Sequence, residues 1–326
     1  MGSTRMLLGA LLATALGATA ATPTSAQNWP SRPITAISPF SAGNAVDIVG
    51  RIVLEQVSQQ IGQSFVIENR PGGGGTVAFN SVAKATPDGY TVLLGSSTFS
   101  AAVVLHKKLP YDTLSDFTAV VPFGVQPSVL VAAPSHDFKT VADLVAAAKA
   151  KPGQMNFASA GIGAASHIAA ERFRLSAGIV AQHVPFRGPN EALSEVLAGR
   201  IDYYFLPIAP ALPLVKDGKL VALAVSTPKR APTLPDVPTT AEAGYPGASY
   251  VFWSGLFVPA KTPKEIVARL HDESAKALAL PEIQAKLTKL GVDPLTLTSE
   301  GFQDFFANDV AETVKLAKEA GITPTD

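Results

Sequence analysis

Two α/β lobes, each a parallel sheet with helices on its faces, are the fold this sequence predicts. Three observations carry the prediction. Short apolar runs alternate with segments of helical apolar spacing. The alternation starts twice, near Ile34 and again near Val129. And the chain, at 326 residues, is long enough to bury two cores.

In the first series, Ile34 to Pro39 reads as a buried strand. Asn44 to Ile61 carries Val46, Val49, Val53 and Val57 on one helical face, and Gly62 ends it. Phe65 to Glu68 is the next strand, followed by the glycine run Gly72–Gly75 and a helix from Thr76 to Ala85. Asp88-Gly89 makes a turn, and Tyr90 to Leu94 is a third strand. The second series opens with a strand at Val129 to Ala133. Thr140 is the expected N-cap of a helix from Val141 to Ala150, stopped by Pro152-Gly153. Met155 to Ala158 is a strand, and a glycine-rich turn leads into a helix from Ser166 to Leu175. Gln182 to Pro185, Ile201 to Phe205 and Leu220 to Val225 are strands, and Asn190 to Ala198 is a helix closed by Gly199. The tail is helical. Thr262-Pro263-Lys264-Glu265 has the form of a capping box with proline at the first helical position. Phe302, Phe305, Phe306 and Val310 mark the apolar face of a last helix, which cannot bury itself alone and is expected to return to the first lobe. The division that follows is residues 27–124 with 227–326 as lobe one and 125–226 as lobe two.

The N-terminus sets the compartment. Arg5 is the one charge in the first 26 residues, Met6 to Ala21 is apolar and small, and Thr24-Ser25-Ala26 offers small residues for cleavage. This predicts a secretory signal peptide, cleaved near Ala26, and a periplasmic protein. No later stretch is apolar and long enough to span a bilayer as a helix. Basic and acidic residues balance at 26 each, which gives the chain no broad electrostatic attraction to nucleic acid or anionic lipid. The absence of cysteine excludes disulfides, thiolate nucleophiles and cysteine-ligated metal.

The stretch Asn69-Arg70-Pro71-Gly72-Gly73-Gly74-Gly75-Thr76-Val77-Ala78 fits a loose dinucleotide fingerprint, Gly73-x-Gly75-x-x-Ala78. That motif also needs an acidic residue at the end of the next strand to hold ribose, and here that strand ends Leu94-Gly95-Ser96-Ser97. The glycines are therefore read as structural, permitting positive φ and a close approach of strand and helix.

Six segments, in order, carry a resemblance. They are WPSRPITAISPFSAGNAVDIVGRIV (Trp29 to Val53), VIENRPGGGG (Val66 to Gly75), ATPDGYTVLLGS (Ala85 to Ser96), KLPYDTLSDFTAV (Lys108 to Val120), NFASAGIGAASHIAAERF (Asn156 to Phe173) and LPDVPTTAEAG (Leu234 to Gly244). From about Trp29 to the C-terminus the chain resembles the tripartite tricarboxylate transporter substrate-binding proteins, the Bug family. The resemblance implies a type II periplasmic binding protein fold, in which two lobes close on one small organic carboxylate. It implies a monomer that delivers its ligand to membrane permease subunits, with no chemistry and no cofactor. A receptor of the same build can instead present its ligand to a sensor kinase, and nothing within the chain separates the two.

The resemblance places the ligand at the starts of two helices, where unpaired N–H groups and the helix dipole attract an anion. In lobe one this is the turn Phe40, Ser41, Ala42, Gly43, Asn44. The family commonly has Gly-Gly where Gly43-Asn44 stands, so the Asn44 side chain either bonds the ligand or caps the helix. Asp47 matches a family aspartate that either orients the turn or touches ligand. Ser96, Ser97 and Thr98 offer hydroxyls at the end of the third strand. In lobe two the equivalent turn supplies Ser159, Ala160, Gly161, Gly163 and Ala164. Ala164 replaces a frequent serine or threonine, and His167, matching a family histidine, is a structural hydrogen-bonder or a contact. Leu206 stands where amino-acid-binding members commonly place an aspartate, which leaves a ligand ammonium without a partner. That strand could welcome an apolar or aromatic ligand body, flanked by Tyr203 or Phe205, or it could simply pack in the core. Trp253 either walls the cleft or packs the hinge, and Arg187 either binds a carboxylate or braces its loop.

Signs of catalysis are poor. Ser81-x-x-Lys84 lacks its companion motifs, and no Gly-x-Ser-x-Gly elbow occurs. His167 and Glu171, four apart, make at most two metal ligands. The chain is thus expected to be neither an enzyme nor a metal binder.

Overall fold

The computed structural model describes residues 29–324, and the expected signal peptide lies outside them. The elements run β1 (Ile34–Ser38), α1 (Ala45–Ile61), β2 (Phe65–Asn69), α2 (Thr76–Ala83), β3 (Thr91–Ser96), α3 (Ser97–Leu105), β4 (Phe117–Gln126) and β5 (Ser128–Ala132). They continue α4 (Val141–Ala150), β6 (Met155–Ser159), α5 (Ala165–Ala177), β7 (Ala181–Pro185), α6 (Pro189–Leu197), β8 (Tyr203–Pro207), α7 (Ile208–Lys216) and β9 (Val221–Val225). β10 (Phe252–Pro259), α8 (Lys264–Ala279), α9 (Pro281–Lys289) and α10 (Ser299–Ala320) complete the chain.

Two five-stranded sheets form, in the orders β2-β1-β3-β10-β4 and β7-β6-β8-β5-β9. The expected parallel sheets are mixed. β1 runs parallel to β2 and β3, whereas β10 is antiparallel to β3 and β4. β6 runs parallel to β7 and β8, whereas β5 is antiparallel to β8 and β9. The reason lies in how the chain changes sheets. β4 leaves the first sheet and β5 enters the second with Pro127 alone between them. Gln126 still pairs with Phe252, and Ser128 already pairs with Pro207 at the far end of β8. β5 therefore enters at the carboxyl edge of its sheet and runs against its neighbours, and β10 does the same on the return. At the second passage Ser226 N–H donates to the Ser128 carbonyl (2.8 Å) and Ser128 N–H donates to Ser226 Oγ (3.1 Å), which ties the two crossing segments together.

Local signals explain some element ends. Gly62 takes φ 71° behind α1, and Thr140 caps α4 in a full capping box with Asp143. The box expected at Thr262 does not form. Thr262 Oγ1 donates back to the Pro259 carbonyl (2.7 Å), and Pro263 occupies the N-cap position of α8. A residue before proline is pushed to extended backbone, which takes Thr262 away from the helix start.

α1 buries Val49, Val53 and Val57 on one face of the first sheet. The other face packs Phe79, Phe99, Phe257, Phe302 and Phe306, with Phe99 and Phe306 stacked at 5.0 Å. Trp253 belongs to this core, fully buried, its Nε1–H donating to Asp309 (2.9 Å), so it packs rather than walls a cleft. α10 lies on α3 and β4 and reaches α5 through Arg172–Glu312 (2.8 Å).

The glycine run is a single turn into α2. A side chain on Gly75, at φ +101°, would stand 2.7 Å from the Phe79 ring and 3.2 Å from Pro39. Gly75→Ala is expected to cost roughly 2–5 kcal/mol, left-handed strain plus a core collision. Gly62→Ala, also at positive φ but with nothing within 4 Å, should cost only about 1–2 kcal/mol. Urea unfolding of the two variants checks this. Equal losses would show that close approach is not what requires Gly75.

Candidate ligand-binding site

A cavity of about 360 Å³ lies between the two sheets. Ala45 and Ile48 wall it from α1, Ala164 to Ser166 from the start of α5, Pro189 and Asn190 from the start of α6, and Ala209 and Pro210 from the start of α7. Gln126, Ser128 and the carboxyl end of β8 close it beneath. No charged side chain lines it. A second cavity, of about 290 Å³, takes all its walls from β4, α8, α9 and the segment around residues 292–298, on the first sheet alone.

Four helices thus begin at one cavity, because the strands before them end at the facing carboxyl edges. α1 is capped: Asn44 Oδ1 accepts from Val46 N–H (2.9 Å) and Asp47 N–H (3.2 Å). Of the two roles expected for Asn44, the structure shows the cap. α5, α6 and α7 have Ala164, Gly188 and Pro207 at the N-cap position and no side-chain cap. Among the described residues, no protein acceptor meets the N–H of Ala165 or Ser166. Such orphan donors favour an anion.

Asp47 is buried and orients its turn. Its oxygens accept from Gly43 N–H (2.9 Å), Arg51 Nε (3.0 Å) and Nη2 (3.1 Å), and Asn69 Nδ2 (2.9 Å). Burial pushes its carboxyl up, but the combined bonds from Arg51, Gly43 and Asn69 outweigh this and hold it below the ordinary carboxylate range.

The lobe-two turn is bonded to itself. Ser159 Oγ donates to the Gly161 carbonyl (3.0 Å) and accepts from Gly161 N–H (3.1 Å), Ala160 N–H donates to Ser166 Oγ (3.0 Å), and Gly163 N–H donates to His167 Nδ1 (3.1 Å). The N–H groups of Gly43, Ala160, Gly161 and Gly163, expected to meet a ligand, are therefore engaged, and the unengaged donors sit one step later, at Ala165 and Ser166. Behind the turn His167 and His183 stack at 3.9 Å, with His183 Nε2 at 2.6 Å from Ser159 Oγ. Burial, then the neighbouring His183 and Arg174, depress His167 to about 3, and burial depresses His183 to about 4. Burial raises Glu171, against the opposing pull of Arg174.

Of the residues expected from sequence, Ala160, Ala164 and Leu206 line the cavity. Phe40 to Asn44 form the turn before α1, with Ser41, Ala42 and Gly43 exposed to solvent. Gly161 and Gly163 lie in the second turn outside the cavity lining, and Ser159 and His167 support that turn from behind. Ser96, Ser97 and Thr98 start α3 away from the cavity lining, and Ser96 and Thr98 bond each other (2.7 Å). Leu206 is at once a core residue and a wall. Tyr203 faces the other side of its sheet, against Phe157 and Phe173. Sequence reasoning missed Ser128, Ser166 and Tyr204. The period of two along a strand could have found Tyr204, which shares a face with Leu206.

Residues 49–322 match the family model described as tripartite tricarboxylate transporter family receptor. The chain belongs to this receptor family. Among its relatives, protein BugT of Bordetella pertussis is 32% identical over 325 residues, covering 98% of this chain and 99% of BugT. The structure of Rpa4515 from R. palustris with adipate is 33% identical with a TM-score of 0.80, covering 91% of this chain and 99% of that one. MatC from Rhodopseudomonas palustris with bound malate is 32% identical with a TM-score of 0.76, covering 88% and 99%. Proteins of the tripartite tricarboxylate transporter receptor family are solute-binding receptors, so the cavity between the sheets is the place to look for a ligand.

The depressed histidine pair is expected to make the stability of this chain acid-sensitive. Both folded values lie below the ordinary 6.5, so the unfolded chain binds more protons between about pH 6.5 and 4. Their contribution is present above pH 6.5 and is lost as pH falls, by about 2 kcal/mol per histidine at pH 5. Glu171 and Asp309, raised by burial, act in the opposite sense. Denaturant unfolding at pH 7.5 and 5.0 should therefore show a smaller acid loss in His183→Gln than in the parent chain. An identical loss in both would show that His183 ionises freely in the folded state.

Proposed function

We propose that this chain is a periplasmic receptor for an organic carboxylate without an amino group, an aliphatic or aromatic diacid such as terephthalate among them. Residues 27–124 with 227–326 act as one lobe and 125–226 as the other, and they close about the tied crossing segments. The observation that carries the reading is the charge-free cavity onto which four helix N-termini open. Dipoles and orphan N–H groups favour an anion, while no acidic side chain waits for an ammonium group. Leu206 stands among the walls where an aspartate would be needed. The adipate and malate in the two related structures are both dicarboxylates, in keeping with this class. An anion held by the unengaged donors at the start of α5, with the start of α1 as the facing wall, stabilises the closed arrangement. The closed monomer then delivers it to the permease subunits of a tripartite transporter, and no chemical step is involved.

A thermal-shift series on the chain without residues 1–26 tests this, with adipate, malate and terephthalate against aspartate and glutamate. Ligand at about a hundred times its dissociation constant adds roughly 2.7 kcal/mol, a rise of several degrees in a chain of this size. The expected result is a shift with at least one amine-free diacid and none with the amino acids. Shifts with aspartate or glutamate alone would overturn the proposed ligand class.

A further inference from the structure

We propose that the Tyr204 hydroxyl is a specificity-determining contact, donating a hydrogen bond to the carboxylate held at the start of α5. This rests on the receptor reading above and deepens it. Tyr204 is fully buried in β8 and lines the cavity between the sheets. Its hydroxyl makes no hydrogen bond of ordinary length in the protein, and the Ser166 hydroxyl lies beside it. A buried hydroxyl left unpaired is costly, and such a cost is tolerated where a ligand supplies the missing partner.

The surroundings decide which partner. Ser166 and Ala165 bring unengaged N–H donors to the same wall, at the positive end of a thirteen-residue helix. Ser166 Oγ accepts from Ala160 N–H, so its own proton points to the Tyr204 hydroxyl or into the cavity. Burial pushes the Tyr204 phenol up to about 12, against a smaller opposing pull from Ser166, so it stays protonated and is a donor at any physiological pH. At this wall Tyr204, Ser166 and the helix N–H groups offer protons, and no charged side chain lines the cavity. The matching ligand group is an anionic oxygen, and the hydroxyl adds a side-chain donor to what the helix backbone provides.

Tyr203 provides an internal control. It too is fully buried with an unpaired hydroxyl, but its ring faces the opposite side of the sheet and does not line the cavity. Calorimetric titration with adipate, malate and terephthalate, on the parent chain, Tyr204→Phe and Tyr203→Phe, separates the two. The expected result is a roughly ten- to hundred-fold loss of affinity in Tyr204→Phe, the range of a hydrogen bond to a charged group. Tyr203→Phe should bind as the parent does. Both variants keep the ring, and circular dichroism with the unliganded melting temperature confirms their folding. Binding by the parent with a change under two-fold in Tyr204→Phe would overturn the inference and leave the receptor reading intact, since the hydroxyl would then meet only buried water. An equal loss in both variants would also overturn it. Silence of the parent toward every carboxylate would instead sink the receptor reading, and this inference with it.

Discussion

The single-residue passage at Pro127 is the constraint on which the rest of this structure depends. With β4 ending at Gln126 and β5 starting at Ser128, two sheets must meet edge to edge. The edges that meet are the carboxyl ends of the parallel strands, because β4 runs with β3 and β5 runs against β8. Four strand-to-helix turns at those edges, before α1, α5, α6 and α7, deliver helix N-termini to the same gap. An anion-favouring cavity follows from connectivity, before any side chain is chosen. The hydrogen bonds between Ser128 and Ser226 keep the two passages side by side.

Side chains then tune a field the backbone has already set. In lobe one the tuning is done by ions kept out of the cavity. Asp47 takes up Arg51, Asn69 and the Gly43 N–H, so its negative charge is spent on holding the turn and does not repel a bound anion. In lobe two it is done by uncharged groups. His167 and His183 are kept neutral by burial and hold the turn through Gly163 and Ser159. A charged pair at 3.9 Å would repel itself in a low-dielectric interior, so neutrality and close stacking are one requirement.

Much of this could be read from the sequence, and the failures share a cause. The ends of α1 and α4 were legible because Gly62 and Thr140 act within a few residues. So was the alternation of strands and helices. β4 and β10 were not, because their partners lie far away in the chain and their direction is imposed by the passage between sheets. α7 was hidden by Pro207, Pro210 and Pro213, which read as loop, although two of them sit in or beside its first turn, where no N–H is needed. At the site, the glycine-bearing turns marked the helix starts, but which N–H groups remain unengaged depends on folded contacts such as Gly163 to His167. The glycine run after β2 shows the same limit in reverse: its spacing suits a phosphate loop, yet the Phe79 ring packed against Gly75 gives a sufficient reason for glycine there.

Selectivity in such a cavity comes more from what is missing than from what is present. Helix donors bind most carboxylates alike, so they discriminate poorly among acids. An acidic side chain at the position of Leu206 would pair with a ligand ammonium and impose a cost on any ligand without one, since the carboxylate itself would be buried unpaired. Leucine reverses both terms. The amine-free acid loses no charge partner, and an amino acid must strip water from its ammonium and find nothing in return. On the proposed ligand class, the apolar wall of β8 disfavours amines as much as it offers a surface for a ligand body, with no charged side chain lining the cavity.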